Sequence, residues 1–305
     1  MKYVISHVDC GGAYKVSKLH AELMDAELVI KPNFKKIIKI LSQNPDLVLC
    51  SAHHLCLKFA ILKYVLSRST KLWCVEHFVL PFILKYEFAS DFKRYQFLLL
   101  IKINVFFGVR CIAIDEVSNR LRAVILNKNA DLVIGNLVPN PTKGLVAHEY
   151  DIVWAGGLNK QKRWSETLDI LIQWKKEDPT LKIVVCSYDQ AEKYELDKMR
   201  DHNIEFRHDE ANWTDLAPKF FFTSQYEGFP LALAEAMAAG MGIISWSRYA
   251  CIRQLLDYYE GYTWVSHCSK PNIRNVLETS ASGKVKDGAL KAHRLSAVKQ
   301  GLQGL

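Results

Sequence analysis

No apolar run in this 305-residue chain reaches the ~18 residues needed to span a bilayer, so no transmembrane helix is expected. Cys-x-x-Cys, His-x-x-x-His and His-Glu-x-x-His are all missing, which removes the usual zinc-ligand spacings. No two aspartates lie two positions apart, so a chelating Asp-x-Asp pair for a divalent ion is excluded. Without Gly-x-Gly-x-x-Gly, a dinucleotide cofactor is not expected. Nucleic acid is a poor partner, because no binding motif and no Arg/aromatic run is present. The start, Met1 to Val8, reads as a buried strand rather than a signal peptide. Its apolar part is too short and no small-residue cleavage site follows.

What is present is ordinary in bulk. Half of the residues are apolar and 24% are charged, as in a globular protein with a sizeable core. Eight cysteines are scattered, mostly in apolar runs such as Trp73-Cys74 and Val185-Cys186, where a thiol acts as a small hydrophobe. Reduced thiols and a cytoplasmic setting are expected. The net charge of +8 is uneven: residues 1–150 hold 20 Lys and Arg against 12 Asp and Glu, while residues 151–305 are neutral. A basic first half suits an anionic substrate or an anionic lipid surface.

Short apolar strands alternate with helical stretches, which predicts an α/β fold with parallel sheets. Strands are expected near Tyr3–His7, Asp46–Cys50, Leu72–Glu76, Cys111–Ile114 and Leu132–Ile134, with helices near Ala13–Met24, Phe34–Ser42, Cys56–Ser67, Phe88–Phe107 and Glu116–Leu126. Val138-Pro-Asn-Pro-Thr-Lys-Gly144 then breaks the pattern and is the best domain boundary. The second half restarts with strand Asp151–Ala155, helix Ser165–Glu177 and strand Lys182–Cys186, followed by strands Phe220–Thr223 and Gly242–Trp246. Residues 1–140 and 141–285 are expected to be two domains, with 286–305 a helical tail.

The most informative stretch is Glu227-Gly-Phe-Pro-Leu-Ala-Leu-Ala-Glu235-Ala-Met-Ala-Ala-Gly240. Pro230 suits the first helical turn and Gly240 the stop. The amides of Gly228, Phe229 and Leu231 are then expected at a helix N-terminus, where anions bind. Glu235 lies two turns beyond Glu227, on about the same side. A ligand with an anionic centre and hydroxyls at both ends fits such a set. A loop after a strand and before a helix is also where α/β folds bind ligands.

This Glu-x7-Glu pattern resembles the donor-sugar signature of retaining GT-B glycosyltransferases of the large family 4 type. The resemblance implies the GT-B fold: two Rossmann-like domains with parallel sheets facing across a cleft, the second binding a nucleotide diphosphate sugar. It implies that Glu235 binds the ribose, that Glu227 and Gly228–Leu231 face the transferred sugar, and that Lys162 binds the diphosphate. The family's Gly-Arg-Leu-x-x-x-Lys-Gly loop corresponds here to Gly156-Gly157-Leu158-Asn-Lys160-Gln-Lys162-Arg163. The family arginine is thus replaced by Gly157, and Lys160 or Arg163 is expected to supply the missing charge. Ser187-Tyr188-Asp189 stands in place of Gly-Asp-Gly, and Arg248-Tyr249-Ala250 in place of a Gly-Gly turn. In the first half, Gly11-Gly12 follows strand one like the family's Gly-Gly loop. His77 ends a strand where the family often places a histidine near the reaction centre, and is preferred to Glu76.

These residues imply a retaining, metal-independent glycosyltransferase that uses no cofactor. It would move a hexose-type sugar to a glycan or lipid-linked acceptor in surface polysaccharide assembly. Lipid-linked acceptors would explain the basic half. The segment Phe88–Phe107 reads either as a core helix or as a face for an anionic inner membrane. A nucleotide-sugar epimerase and a non-catalytic glycan- or partner-binding module of the same fold are the alternatives.

Overall fold

The computed structural model describes residues 1–66, 68–78, 80–88, 90–136, 148–246, 252, 255–257, 259–265, 269–286 and 295–305. The expected hinge at Val138–Gly144, the Arg248–Ala250 turn, Cys251 and Cys268 lie outside the described residues. The chain divides into two compact units, Met1–Leu137 with Ala292–Leu305, and Val138–Lys291.

The N-terminal unit holds a six-stranded sheet in the order β2-β1-β3-β4-β5-β6, every neighbour parallel. Its strands are β1 Lys2–Ser6, β2 Glu27–Ile30, β3 Leu47–Cys50, β4 Lys71–Glu76, β5 Arg110–Ala113 and β6 Leu132–Val133. The central strands are continuous apolar runs because helices cover both faces. The core gathers Ile5, Val48, Cys50, Cys56, Phe59 and Cys74, so these thiols pack as hydrophobes. The sequence reading missed β2, whose residues are mostly exposed with only Val29 buried. A four-residue edge strand shows little apolar patterning.

Helices α1 Gly11–Met24, α2 Phe34–Ser42, α3 His53–Val65, α4 Leu80–Tyr86, α5 Asp91–Phe106 and α6 Glu116–Leu126 cross between these strands. The expected helix from Phe88 begins later, because Ser90 caps it by accepting the Lys93 amide at 3.3 Å. The tail helix Leu295–Gln303 packs on α1 within this same unit. Its Gly301 approaches closely: a Cβ there would lie 3.0 Å from Ile134.

The C-terminal unit also has a six-stranded sheet, ordered β13-β11-β10-β7-β8-β9 and parallel throughout. Its strands are β7 Ile152–Ala155, β8 Ile183–Ser187, β9 Ile204–His208, β10 Lys219–Phe222, β11 Gly242–Ser245 and β13 Tyr262–Trp264, with a small antiparallel pair, β12 Tyr259–Glu260 and β14 Lys284–Val285. Three helices matter below: α7 Trp164–Glu177, α8 Lys193–Asp201 and α9 Leu231–Ala238. Trp154, Trp174, Phe221 and Ile244 lead a second core.

Each sheet has one point where the strand order reverses. In the first, α1 leaves β1 toward β2 and the chain returns to β3 on the other side. In the second, β8 and β9 extend one way from β7, and β10 and β11 the other. Loops beyond the carboxyl ends of such strands diverge and leave a crevice.

Candidate functional site

Lys162 and Glu227 meet at the reversal point of the second sheet. Lys162 follows β7 and Glu227 follows β10, and these strands are neighbours. The Lys162 Nζ donates to Glu227 Oε1 in a close ion pair, largely buried on both sides. Gln161 Nε2 donates to Glu227 Oε2 at 3.2 Å and to the Tyr226 carbonyl at 3.0 Å. The Gln225 amide returns a bond to the Gln161 carbonyl at 2.7 Å. Thr223 Oγ1 donates to the Lys162 carbonyl at 2.7 Å and accepts from Trp154 Nε1 at 2.9 Å. Two loops separated by some sixty residues are therefore stitched together before any ligand arrives.

Local sequence explains the β7 loop. After the Gly156-Gly157 turn, Asn159 caps a short 3-10 turn, Lys160–Lys162, by accepting the Lys162 amide at 3.1 Å. Arg163 takes a left-handed conformation at φ 53° and starts α7. Arg163 is one of the two residues, with Lys160, expected to supply the charge missing at Gly157. Its guanidinium lies 4.4 Å from the Trp246 ring, at the end of β11. Lys160 is exposed at the start of the 3-10 turn.

The signature segment forms α9, but it begins one residue later than expected. Pro230 stands just before the helix at ψ 83°. The Leu231 amide turns back onto the Phe229 carbonyl at 2.9 Å, so it does not project as a helix N-terminal donor. This removes Leu231 from the amides expected at the helix N-terminus. Gly240 ends the helix as expected, at φ +74°, donating to the Met237 carbonyl. Ala234 and Ala236 are fully buried, which lets α9 lie close against the sheet. Glu235 is half-buried and accepts a bond from Trp213 Nε1 at 3.2 Å. Trp213, Gln161 and Thr223 were not singled out in the sequence, and only their place beside Glu235, Lys162 and Glu227 gives them a role.

In the N-terminal unit, α1 starts at Gly11, whose φ of +74° demands glycine, with Gly12 exposed beside it. At the reversal point there, His7 follows β1 and Ser51 follows β3. The His7 amide donates to Ser51 Oγ at 3.0 Å, and the same hydroxyl lies 2.8 Å from His7 Nδ1. His77 follows β4. Burial, with the charges of His20 and His7, pushes it down to about 3, so it is neutral near pH 7. Glu76 is not part of this edge. It is buried between His53 Nε2 at 3.0 Å and Arg122 Nε at 3.0 Å. Burial alone would raise its carboxyl, but His53 and Arg122 hold it below the ordinary carboxylate range. Asn104 fixes His53 from the other side by donating to its carbonyl at 2.9 Å. Among the described residues, no group of three His, Cys, Asp or Glu is placed to hold a metal ion.

Residues 141–277 match the family model described as Glycosyl transferases group 1. Among solved structures the chain is similar to HepE of Anabaena in complex with UDP and glucose, with TM-score 0.69 and 14% identity over 99% of this chain and 98% of that one. It is also similar to sucrose-phosphate synthase from Thermosynechococcus elongatus, with TM-score 0.62 and 12% identity over 100% and 94%. A third is WaaG, a glycosyltransferase involved in lipopolysaccharide biosynthesis, with TM-score 0.61 and 10% identity over 99% and 90%. No curated protein sequence matches significantly. The chain has the GT-B fold, and residues 141–277, most of its second unit, are similar to the group 1 glycosyltransferases.

Proposed function

We propose that this GT-B chain transfers a hexose-type sugar from a nucleoside diphosphate to a glycan or lipid-linked acceptor, with retention at the anomeric carbon. The observation that carries the reading is the Lys162–Glu227 pair at the reversal point of the group 1 domain. A cation held there by a buried carboxylate suits a diphosphate leaving group, whose charge grows in the transition state. The carboxylate suits sugar hydroxyls, which donate to it. Glu235, positioned by Trp213, suits the ribose hydroxyls. HepE is described in complex with UDP and glucose, which supports a nucleotide-sugar donor here.

Glu227 is engaged by Lys162 and Gln161, and in this reading it holds the sugar rather than acting as a nucleophile for a double displacement. The acceptor oxygen then attacks the anomeric carbon from the face that the phosphate leaves. The bond from that carbon to the phosphate oxygen breaks as the new one forms, and the acceptor proton passes to the departing oxygen. Lys162 stabilises the leaving diphosphate in this scheme. On the acceptor side, Gly11, Gly12 and neutral His77 offer close backbone and uncharged hydrogen bonding to hydroxyls. The exposed apolar and basic face of α5 supports a cytoplasmic protein peripheral to an anionic inner membrane. That location suits assembly of a lipid-linked surface glycan.

The test is a thermal-shift panel of UDP-, GDP-, ADP- and dTDP-sugars, followed by nuclear magnetic resonance of the product anomer. One donor at 100 times its Kd should add about 2.7 kcal/mol of stability. Transfer with the donor's anomeric configuration should persist in excess EDTA. An inverted product would sink retention, full loss on chelation would sink the metal-free step, and no stabilisation by any nucleotide would sink the donor site itself.

A further inference from the structure

Four histidines gather around the reversal point of the first sheet, and three of them have no part in the chemistry above. His7 follows β1, His20 lies on α1, His54 lies in the first turn of α3 and His77 follows β4. The His7 and His54 rings meet edge-on, 6.3 Å apart at 88°. His20 and His7 lie close enough to His77 for their charges to act on it. The cluster is short of partners. Ser51 Oγ lies 2.8 Å from His7 Nδ1 and leaves Nε2 without a bond among the described residues. The rings of His20, His54 and His77 make no hydrogen bond to any described residue, although His20 is only 3% exposed. Buried polar nitrogens are ordinarily bonded. Their neighbours in sequence are the reverse. His53, beside His54, and Glu76, beside His77, bond to each other, and Glu76 bonds Arg122 as well. The start of α3 and the end of β4 are thus anchored from below, while the His54 and His77 rings stay unbonded. The surrounding charges do not favour protonated rings. Burial first, then His54 and Lys31, lowers His7; burial first, then Lys58 and His53, lowers His54. Asp9 is taken up by Lys31 at 2.7 Å, and Glu76 by the buried network. Both rings are therefore neutral near pH 7.

We propose that His7 and His54 bind hydroxyls of the acceptor, and that the acceptor sugar seated there carries no charged group. The inference deepens the transferase reading above and rests on it. A neutral imidazole presents one donor and one acceptor nitrogen, and a sugar hydroxyl both donates and accepts. Held by Ser51, half-buried His7 offers Nε2 in a fixed direction, and exposed His54 offers both nitrogens. Two rings 6.3 Å apart can take neighbouring hydroxyls of one sugar. A carboxylate or phosphate at this place would instead draw protons onto the rings, because an opposite charge nearby favours the charged form.

The experiment is nuclear magnetic resonance of the histidine ring nitrogens in the intact protein, with calorimetry of UDP, GDP and ADP run alongside. The probes are the methyl glycosides of glucose, galactose, mannose and N-acetylglucosamine, with methyl glucuronoside as the anionic counterpart. A neutral glycoside should shift the His7 and His54 ring signals. It should bind less tightly at about pH 5 than at about pH 8, because a protonated imidazole has lost its acceptor nitrogen. His54→Leu and His7→Leu should each weaken glycoside binding about 2- to 10-fold, the loss for one neutral hydrogen bond, with nucleotide affinity unchanged. His54→Gln keeps a donor and an acceptor but does not titrate, so it should retain binding and flatten the pH dependence. Tighter binding of the glucuronoside, or binding that strengthens as pH falls, would overturn the uncharged acceptor. If a nucleotide binds but no neutral glycoside does, this inference falls and the donor site stands. The same holds if the His54→Leu protein, folded by circular dichroism, binds glycoside as the wild type does. If a glycoside binds but no nucleotide does, the donor-site reading falls and the hydroxyl site stands; if neither binds, both fall.

Discussion

Where the strand order of the first sheet reverses, between β1 and β3, His7 meets Ser51; where the second reverses, between β7 and β10, Lys162 meets Glu227. The two units share a parallel, helix-covered architecture, and both place a side-chain pair at the same kind of crevice. The pairs differ in charge. Ser51 Oγ accepts the His7 amide and also hydrogen-bonds to His7 Nδ1. Burial lowers His7, with the charges of His54 and Lys31 adding to it, so the His7–Ser51 pair is uncharged near pH 7. The first unit buries a charge network, Glu76–Arg122–His53, beneath a neutral pair, while the second places a buried ion pair at its reversal point. A neutral edge suits hydroxyl-rich ligands, and a charged one suits phosphates.

The largest effect should come from the buried network. Arg122→Met leaves Glu76 without its guanidinium partner in the core, and breaking a buried pair on one side costs about 3–5 kcal/mol. Urea unfolding measures that loss. Nucleotide affinity of the molecules still folded should not change, because Arg122 belongs to the first unit. A cost below about 1 kcal/mol, as for a surface pair, would mean that these charges are not structural.

Next is Lys162→Ala, which should lower turnover by about 10²–10³, as when a preorganised charge-stabilising donor is removed. Lys160→Ala should do far less, since Lys160 is exposed and makes no contact with Glu227 among the bonds described. Steady-state rates on the donor found in the nucleotide panel separate the two. A larger loss from Lys160→Ala would move the charged edge away from the reversal point and break the comparison.

These contrasts were only partly legible in the sequence. Continuous apolar runs such as Ile183–Cys186 and Phe220–Phe222 announce buried parallel strands, so the fold class could be read directly. Lys162 and Glu227 were visible as candidates, but they are 65 residues apart and only the strand order makes them a pair. Glu76, His53 and Arg122 come from three elements, and each alone looks like an ordinary polar residue. The apolar residues of Phe88–Phe107 were visible too, yet their direction was not. Half of α5 is exposed and only Ile101 and Asn104 are buried, so it is not the buried helix that one reading expected.

A smaller effect should appear as pH falls. Burial pushes His20 down to about 4, against an ordinary value near 6.5. Above pH 6.5 the group is neutral in both states and carries no penalty. Below it the unfolded chain binds a proton that the folded chain refuses, so stability falls until pH reaches about 4. The slope for one such group approaches about 1.4 kcal/mol per pH unit. His77, lowered by burial to about 3, adds the same sign over a longer window. His20→Leu should remove one proton's share of the slope between pH 6 and pH 4.5, read from urea midpoints. An unchanged slope would show that His20 is not held neutral by burial.

The smallest effect, per residue, concerns the outer surface of the first unit. Along α5, Phe92, Tyr95, Leu99, Lys102 and Phe106 recur at spacings of three and four, which places them on one helix face. All five are exposed, Phe106 at 85%. Helix α3 packs beside α5 and adds exposed Tyr64 and Val65, with Tyr64 joined to the patch through Phe107 at 6.0 Å. Lys58, Lys93 and Lys102 stand exposed on the same two helices. Apolar residues with basic neighbours suit an anionic lipid surface, each basic residue contributing about 1 kcal/mol near it. Arg94 is not a useful probe: it donates to the Leu84 carbonyl at 2.7 Å and pairs with Asp91 at 2.6 Å, tying α4 to α5. Lys93→Glu with Lys102→Glu should therefore weaken sedimentation with phosphatidylglycerol vesicles while leaving nucleotide affinity intact. High salt should release the wild type, because screening shortens the reach of exposed charges. Phe106→Ser should reduce the binding that salt leaves behind. Equal binding to phosphatidylcholine and phosphatidylglycerol vesicles, or none to either, would remove the membrane from the comparison and favour a soluble glycan as the acceptor.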